Sequence, residues 1–223
     1  MTVTLDAITT EDGFGASTIV SHTIGVGTDT ILIVCVMTDA HTTGDGTVTS
    51  VTWNGASLTK AISRYHTGTT AAEACIWYKL NPDSGTHDVT VDAGPGNDYL
   101  KLTIASYFGI KGACEATAST QDTGGTSVTT SILTVSNNAF IVDSTGGGNA
   151  GAGPTTPGAG QTQISELTGS FRSAFTSNKQ ATIPGSYNMT WDNPSGWISF
   201  EQAVAAFPTE NTNTNSLFFG SSF

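Results

Sequence analysis

The chain has 223 residues, of which only 11% are charged, and its 18 acidic against 7 basic side chains give a formal net charge of −11. So few lysines and arginines cannot displace counterions from a phosphate backbone, which argues against a nucleic-acid partner. The 26 glycines, and three cysteines (Cys35, Cys75, Cys114) without C-x-x-C spacing, point to a turn-rich chain with free thiols rather than to a disulfide scaffold.

The opening MTVTLDAITTEDGFGAS has no basic n-region and no apolar core, so no secretory signal is expected. The longest apolar run, Ile31–Met37, falls well short of the ~20 residues a membrane helix needs. The expectation is a protein that folds in a cytoplasm and does not meet a membrane.

No window carries a sustained helical series of apolar residues, whereas period-two alternation and β-branched runs recur. In chain order the expected strands are Thr2–Ala7, Thr18–Ile24, Thr30–Met37, Val48–Trp53, Leu58–Tyr65, Ala74–Leu80, His87–Asp92, Leu100–Phe108, Ser127–Val135, Ala139–Ser144, Gln161–Leu167, Phe171–Thr176, Tyr187–Trp191 and Trp197–Ala205. In VTSVTWNGASLT, Val51 and Trp53 share a face, and Asn54-Gly55 supplies the positive φ angles of a type I′ hairpin turn. In CIWYKL, Ile76, Tyr78 and Leu80 fall on one face and Trp77 and Lys79 on the other, which predicts one packed face and one partly wet.

Ser144–Gln161 is rich in glycine, alanine and proline and reads as a long loop. No repeat is apparent at a fixed period. After a polar spacer from Thr209 to Ser216 come Leu217, Phe218, Phe219 and Phe223. Burying such side chains is worth about 1.5–3 kcal/mol each, so they are expected to be covered, either by their own sandwich or by a neighbouring subunit.

Reactive constellations are scarce. G-x-S-x-G is absent, and the glutamates are scattered without close pairing along a strand. His22, His41, His66 and His87 show no H-x-H or H-E-x-x-H spacing. Asp39, His41 and Asp45 in TDAHTTGDG are the best metal candidates, and Asp92 and Asp98 in DAGPGNDY could offer oxygens to calcium, but both read more simply as turn polarity. GGGNAGAG lacks the Lys-Ser or Lys-Thr ending of a phosphate cradle. The expectation is a non-enzyme without metal or cofactor. Trp53, Trp191 and Trp197 are candidate sugar-stacking platforms, since an exposed indole desolvates the apolar face of a sugar ring; tryptophans on strands also close core ends.

Several segments together resemble a β-sandwich module of tailed-phage virion proteins and of bacterial surface or prophage proteins: SHTIGVGTDTILIVCV (Ser21–Val36), VTSVTWNGASLTK (Val48–Lys60), IWYKLNPDSGTHDVTV (Ile76–Val91), IASYFGIKG (Ile104–Gly112) and Arg172–Phe207. The resemblance spans most of residues 20–207 and implies an all-β, two-sheet antiparallel, jelly-roll-like sandwich; with the chain length it gives an expected single domain over residues 1–207, and the short amino-terminal strand, the glycine-rich loop and the extended C-terminal arm 208–223 depart from the bare module. It carries no catalytic residues. It implies a capsid decoration or cement protein on a phage head, a homo-oligomer with a trimer among the open states. Its partners would be the major capsid protein or other virion subunits, met through Leu217, Phe218, Phe219 and Phe223. The alternatives are a glycan-binding or adhesion module and a tail or fibre subunit.

Overall fold

The computed structural model describes residues 3–40, 47–66, 71–94, 97–122, 124–148, 155–169, 172–197 and 199–209. Its regular elements are all strands: β1 (Thr4–Gly13), β2 (Ser17–Ile24), β3 (Ile31–Ala40), β4 (Ser50–Trp53), β5 (Ala56–Ser57), β6 (Thr59–His66), β7 (Ala71–Leu80), β8 (Gly85–Asp92), β9 (Asn97–Phe108), β10 (Ala116–Asp122), β11 (Gly125–Thr134), β12 (Phe140–Gly148), β13 (Thr156–Pro157), β14 (Thr162–Leu167), β15 (Arg172–Gln180), β16 (Gly185–Trp197) and β17 (Ser199–Phe207). No helix among the described residues is long and apolar enough to cross a membrane. The protein is all-β, and every strand pairing is antiparallel.

The expected two-sheet sandwich is present twice. In the first half the inner sheet β1-β9-β3-β7-β6 faces the outer sheet β2-β8-β4-β5; in the second, β10-β17-β12-β15-β14 faces β11-β16-β13. The two inner sheets then pack on each other, giving four layers. Strand parity shows how the sequence specifies this. On β3, Leu32, Val34 and Val36 join the core under the first outer sheet, whereas Ile31, Ile33 and Cys35 join the seam between the halves. An antiparallel strand with one wet face would alternate apolar and polar residues; β3 is an unbroken apolar run because both of its faces are covered.

The same fact corrects the expectation of a partly wet face on β7. Trp77 packs in the first core while Ile76 and Tyr78 pack in the seam, so both faces are buried. The outermost faces meet water, and they carry cross-strand polar pairs: Ser21 Oγ to Asp88 Oδ1 at 2.7 Å and Thr23 with Thr86 at 2.7 Å on the first outer sheet, Ser131 Oγ to Asn188 Oδ1 at 2.7 Å and Thr129 with Thr190 at 3.0 Å on the second.

Apart from the two-residue β5, the halves repeat one another strand for strand. Ser17–Ile24 pairs with Asp92–Gly85 as Ser127–Thr134 pairs with Asp192–Gly185, and Ile31 sits opposite Tyr107 and Leu80 as Phe140 sits opposite Phe207 and Gln180. Even the irregularity between Lys60 and Ile62 recurs between Gln163 and Ser165. The contacts across the seam are reciprocal: β3 lies on β12, β7 on β17 as β15 on β9, and β6 on β10 as β14 on β1. Cys35 Sγ approaches Asp143 O at 3.7 Å and Ser144 Oγ approaches Val36 O at 3.5 Å, so β3 and β12 advance in the same direction. This is the geometry of a pseudo-two-fold axis running along the strands.

The absence of a fixed period in the sequence is thereby corrected at the level of the backbone. The final strands correspond with a numbering difference of 100 (Gly85 with Gly185), but β3 and β12 differ by 109 (Ile31 with Phe140), because the intervening loops differ in length. Few residues survive as identities, among them Thr90 and Thr190, Asp92 and Asp192, and Ala105 and Ala205.

Two local expectations also change. The segment read as a loop from Ser144 continues as β12 to Gly148, and two of its glycines sit at close approaches: a Cβ on Gly146 would lie 2.7 Å from Met37 Cγ, and one on Gly148 2.6 Å from Arg172 Nη1. β10, ATASTQD, escapes a reading based on apolar alternation because an edge strand of small polar residues has no such pattern. The Asn54-Gly55 hairpin has φ of 49° and 77°, as a type I′ turn demands.

Phe207, fully buried in the seam with its ring 5.2 Å from that of Tyr78, tests the packing of the halves. Phe207→Ala is expected to cost about 3–5 kcal/mol in urea unfolding, with fluorescence and circular dichroism still falling in one shared transition. A loss below 1 kcal/mol, or two separated transitions, would contradict a common core.

Candidate functional site

Because β3, β7, β12 and β17 are short of polar residues on their seam faces, the few charged groups placed there stand out. They gather at the end of the seam where β3 and β12 finish. Arg172, the first residue of β15, grips Asp39 of β3 with two prongs, Nε to Oδ2 at 3.0 Å and Nη2 to Oδ1 at 3.1 Å, while its Nη1 donates to Ser199 Oγ at 3.3 Å. Asp39 belongs to the first half and Arg172 to the second, so the pair bridges the seam. The Asp39 carboxylate, the first of the three metal candidates that read more simply as turn polarity, is held by this guanidinium; its companions His41 and Asp45 lie outside the described residues.

Glu201 of β17 is fully buried beside them. Burial pushes its carboxyl up to about 7; Arg172 pulls it down, Asp39 adds to the rise and Arg64 opposes it. At the structurally equivalent position of the first half stands Lys101, also buried, with Nζ 2.6 Å from Asp12 Oδ1. Glu73 is buried against the first outer sheet, where it accepts from Val48 N at 2.6 Å and lies 3.7 Å from Lys60 Nζ, which sits 4.7 Å over the Trp77 ring.

The second sandwich has a polar core of its own. Asp143 accepts from Ser177 N (2.6 Å), Ser177 Oγ (2.9 Å), Trp191 Nε1 (2.8 Å) and Gln202 Nε2 (3.0 Å). Burial raises its carboxyl to about 6 even against these four donors, Ser177 N foremost. The equivalent positions of the first half, Val34, Trp77, Val91 and Leu102, build an apolar core.

These placements bear on the tryptophans. Trp53 is 1% exposed, wedged between His87 (ring centroids 5.2 Å) and His22 (6.1 Å), and Trp191 is 0% exposed with its N–H spent on Asp143. Neither can serve as a sugar platform, because each closes the inside of a sandwich. Trp197 ends β16, and its side chain lies outside the described residues. Asp6, Ser106 and His22 come together in a way that superficially matches a hydrolytic triad, with Ser106 Oγ donating to Asp6 Oδ2 at 2.7 Å and 3.3 Å from His22 Nε2. The order is wrong for catalysis: the hydroxyl serves the carboxylate directly, the other imidazole nitrogen faces Thr9 Oγ1 at 2.8 Å, and Ser106 is buried. Cys35 and Cys75 are buried free thiols that burial holds in the protonated form, and Cys114 is half-buried and free. No group of three metal-binding side chains occurs among the described residues. An open cleft of about 270 Å³ lies where β6 meets β10, lined by Lys60, Tyr78, Cys114 and Glu115 among others.

The opposite end of the molecule, where β17 finishes, has a different character. Pro208 O accepts from Lys111 N at 2.9 Å, and Thr209 Oγ1 donates to Asn138 O at 2.7 Å, which fixes where the chain leaves the described body. Asn138 N in turn donates to Thr182 O at 3.4 Å. Beside these loops stand Leu133, Val135 and Ile183, 66%, 65% and 64% exposed. They were missed as candidates, although a signal exists: Ile132 and Leu133 are adjacent apolar residues of opposite parity, on a strand whose other outward positions are Ser and Thr. Leu217, Phe218, Phe219 and Phe223 lie outside the described residues.

Compared with protein-family models, curated proteins and solved structures, the chain has no match.

The buried carboxylate at the seam makes a pH prediction. Glu201 has a folded pKa of about 7, above its ordinary 4.5, so the fold favours its protonated form; the stability this confers is complete below pH 4.5 and is lost as pH rises through about 7. Each unit of that rise corresponds to about 1.4 kcal/mol. Glu201→Gln is therefore expected to exceed the parent in stability at pH 8 and to converge with it at pH 4.5, read from urea midpoints at each pH. Asp143 titrates in the same sense in both proteins and cancels in the comparison. A variant less stable than the parent at pH 8 would refute the assignment.

Proposed function

We propose that this chain is a non-enzymatic structural protein of a virion, a decoration or cement protein on the outer surface of a tailed-phage head that works as a homo-oligomer against the major capsid protein or other virion subunits. The observation that carries the structural part of this reading is where the scarce charged groups go. Asp39, Arg172, Glu201, Lys101 and Glu73 are committed to the seam and cores of a four-layer body. The virion setting comes from the resemblance of the hairpin segments. The Ser, Thr and Asn pairs on the outermost faces and the charge of −11 support it, since such a surface stays soluble and does not adhere to packaged nucleic acid. Anchoring is assigned to Leu217, Phe218, Phe219 and Phe223.

A second reading, a glycan-binding module, is favoured by one observation. Phe14 is 71% exposed, with its ring 5.2 Å from that of Tyr99, beside the Asp12–Lys101 pair. It moves the candidate platform from the tryptophans to this aromatic pair.

Light scattering after size exclusion separates the readings. The full chain is expected to be a defined oligomer and a chain ending at Thr209 a monomer with an unchanged urea midpoint. If both are monomers, the assembly reading fails, and saccharide retention that Phe14→Ala abolishes becomes the expected result instead.

A further inference from the structure

Among the described residues eight large hydrophobic side chains are exposed, and five of them, Leu5, Val26, Leu133, Val135 and Ile183, lie at the end of the molecule where Thr209 is held. The internal repeat shows that the fold does not need the last three. The positions equivalent to Leu133, Val135 and Ile183 in the first half are Thr23, Gly25 and Asp83, and there the outer pair is the Thr23–Thr86 hydrogen bond. Leu133 replaces a polar rung in an otherwise polar ladder, so a cause outside the sandwich has to be sought.

We infer that the Leu133–Val135–Ile183 patch of one copy is the receptor for Leu217–Phe219 of a neighbouring copy of this chain. The inference rests on the assembly reading and names its surface. Thr209 is held by Asn138, whose loop carries Val135 and whose backbone N–H is bonded to the loop carrying Ile183, so the arm leaves beside the patch. Glu210–Ser216 spans at most about 25 Å when extended, which is ample to cross between two abutting ends. Because the exit and the receptor lie side by side, an arm that crosses to a second copy is met by one returning over the same distance, and the exchange closes on itself. An arm folded back over the patch of its own half would leave Val26, 94% exposed on the other half, in water, whereas contact between the ends of two copies offers a surface that can cover it.

The test uses full-length chains in which Cys114 is replaced by Ser, leaving only the buried Cys35 and Cys75. One chain carries Leu133→Cys and the other Phe218→Cys; they are mixed, oxidised and resolved on a non-reducing gel. A covalent heterodimer is expected, and a mixture with Thr23→Cys in place of Leu133→Cys is expected to give at least tenfold less. A chain carrying both cysteines that closes only on itself, with no heterodimer from the mixture, would overturn the inference in favour of an arm covering its own patch. Absence of any cross-link while light scattering still reports an oligomer would overturn the receptor but leave the assembly reading standing; a monomeric full chain would end both. Leu133→Asp, at an exposed position, is expected to raise the dissociation constant at least tenfold without moving the urea midpoint, and an unchanged constant would count against the patch.

Discussion

Covering both faces of two antiparallel sheets is the constraint on which everything else in this protein depends. A sheet buried on one side can spend every second residue on water; here the inner strands cannot. They carry apolar residues on both parities, and where the central strands of the two halves cross they carry Ala203, Ala205 and Gly146, whose small size lets the backbones approach. The seam is apolar at one end, where Tyr107 meets Phe140 at 4.8 Å and Tyr78 meets Phe207, and ionic at the other, where Arg172 meets Asp39. Among the described residues, water-facing chemistry is left to the outermost faces, the edge strands and the loops.

The fold class was legible because period-two patterns and turn signals are local. The Asn54-Gly55 hairpin, the burial of Val51 and Trp53 on one face, and the free buried Cys35 and Cys75 all follow from residues within a few positions of one another. What lay beyond reach depends on pairs far apart in the chain. That Tyr78 and Trp77 are buried on opposite faces requires knowing that a second sandwich covers β7, and that Gly146–Gly148 is a strand requires knowing that Met37 and Arg172 lie over it. The repeat was hidden because a jelly-roll-like topology constrains pairing and parity rather than identity, so Val34 and Asp143 occupy equivalent places in cores of opposite polarity.

The candidate site divides in the same way. The tryptophans were conspicuous in the sequence, but conspicuous aromatics on central strands are what a core demands, and Trp53 and Trp191 went there. Leu133 on β11 and the loop residues Val135 and Ile183 were inconspicuous because isolated aliphatic residues are ordinary in strands and loops alike. Beyond the parity break at Ile132-Leu133, their interest arises from exposure and from comparison with Thr23, Gly25 and Asp83 in the other half.

The Asp39–Arg172 bridge has one more consequence, which concerns how identical chains sort during folding. Under the pseudo-two-fold relation, Arg172 corresponds to Ala72 and Asp39 to Gly148. If the first halves of two chains met in a crowded solution, Asp39 would face an alanine; if two second halves met, Arg172 would face a glycine. Either mismatch gives up the two-pronged contact, leaving Asp39 only the Lys101 that stands where Glu201 does, or Arg172 only the Glu201 of its own half. Only a first half closed on a second half forms the two-pronged bridge. Since that match is available within one molecule at the high local concentration a covalent link provides, the bridge steers each chain towards its own other half and away from entanglement with its neighbours.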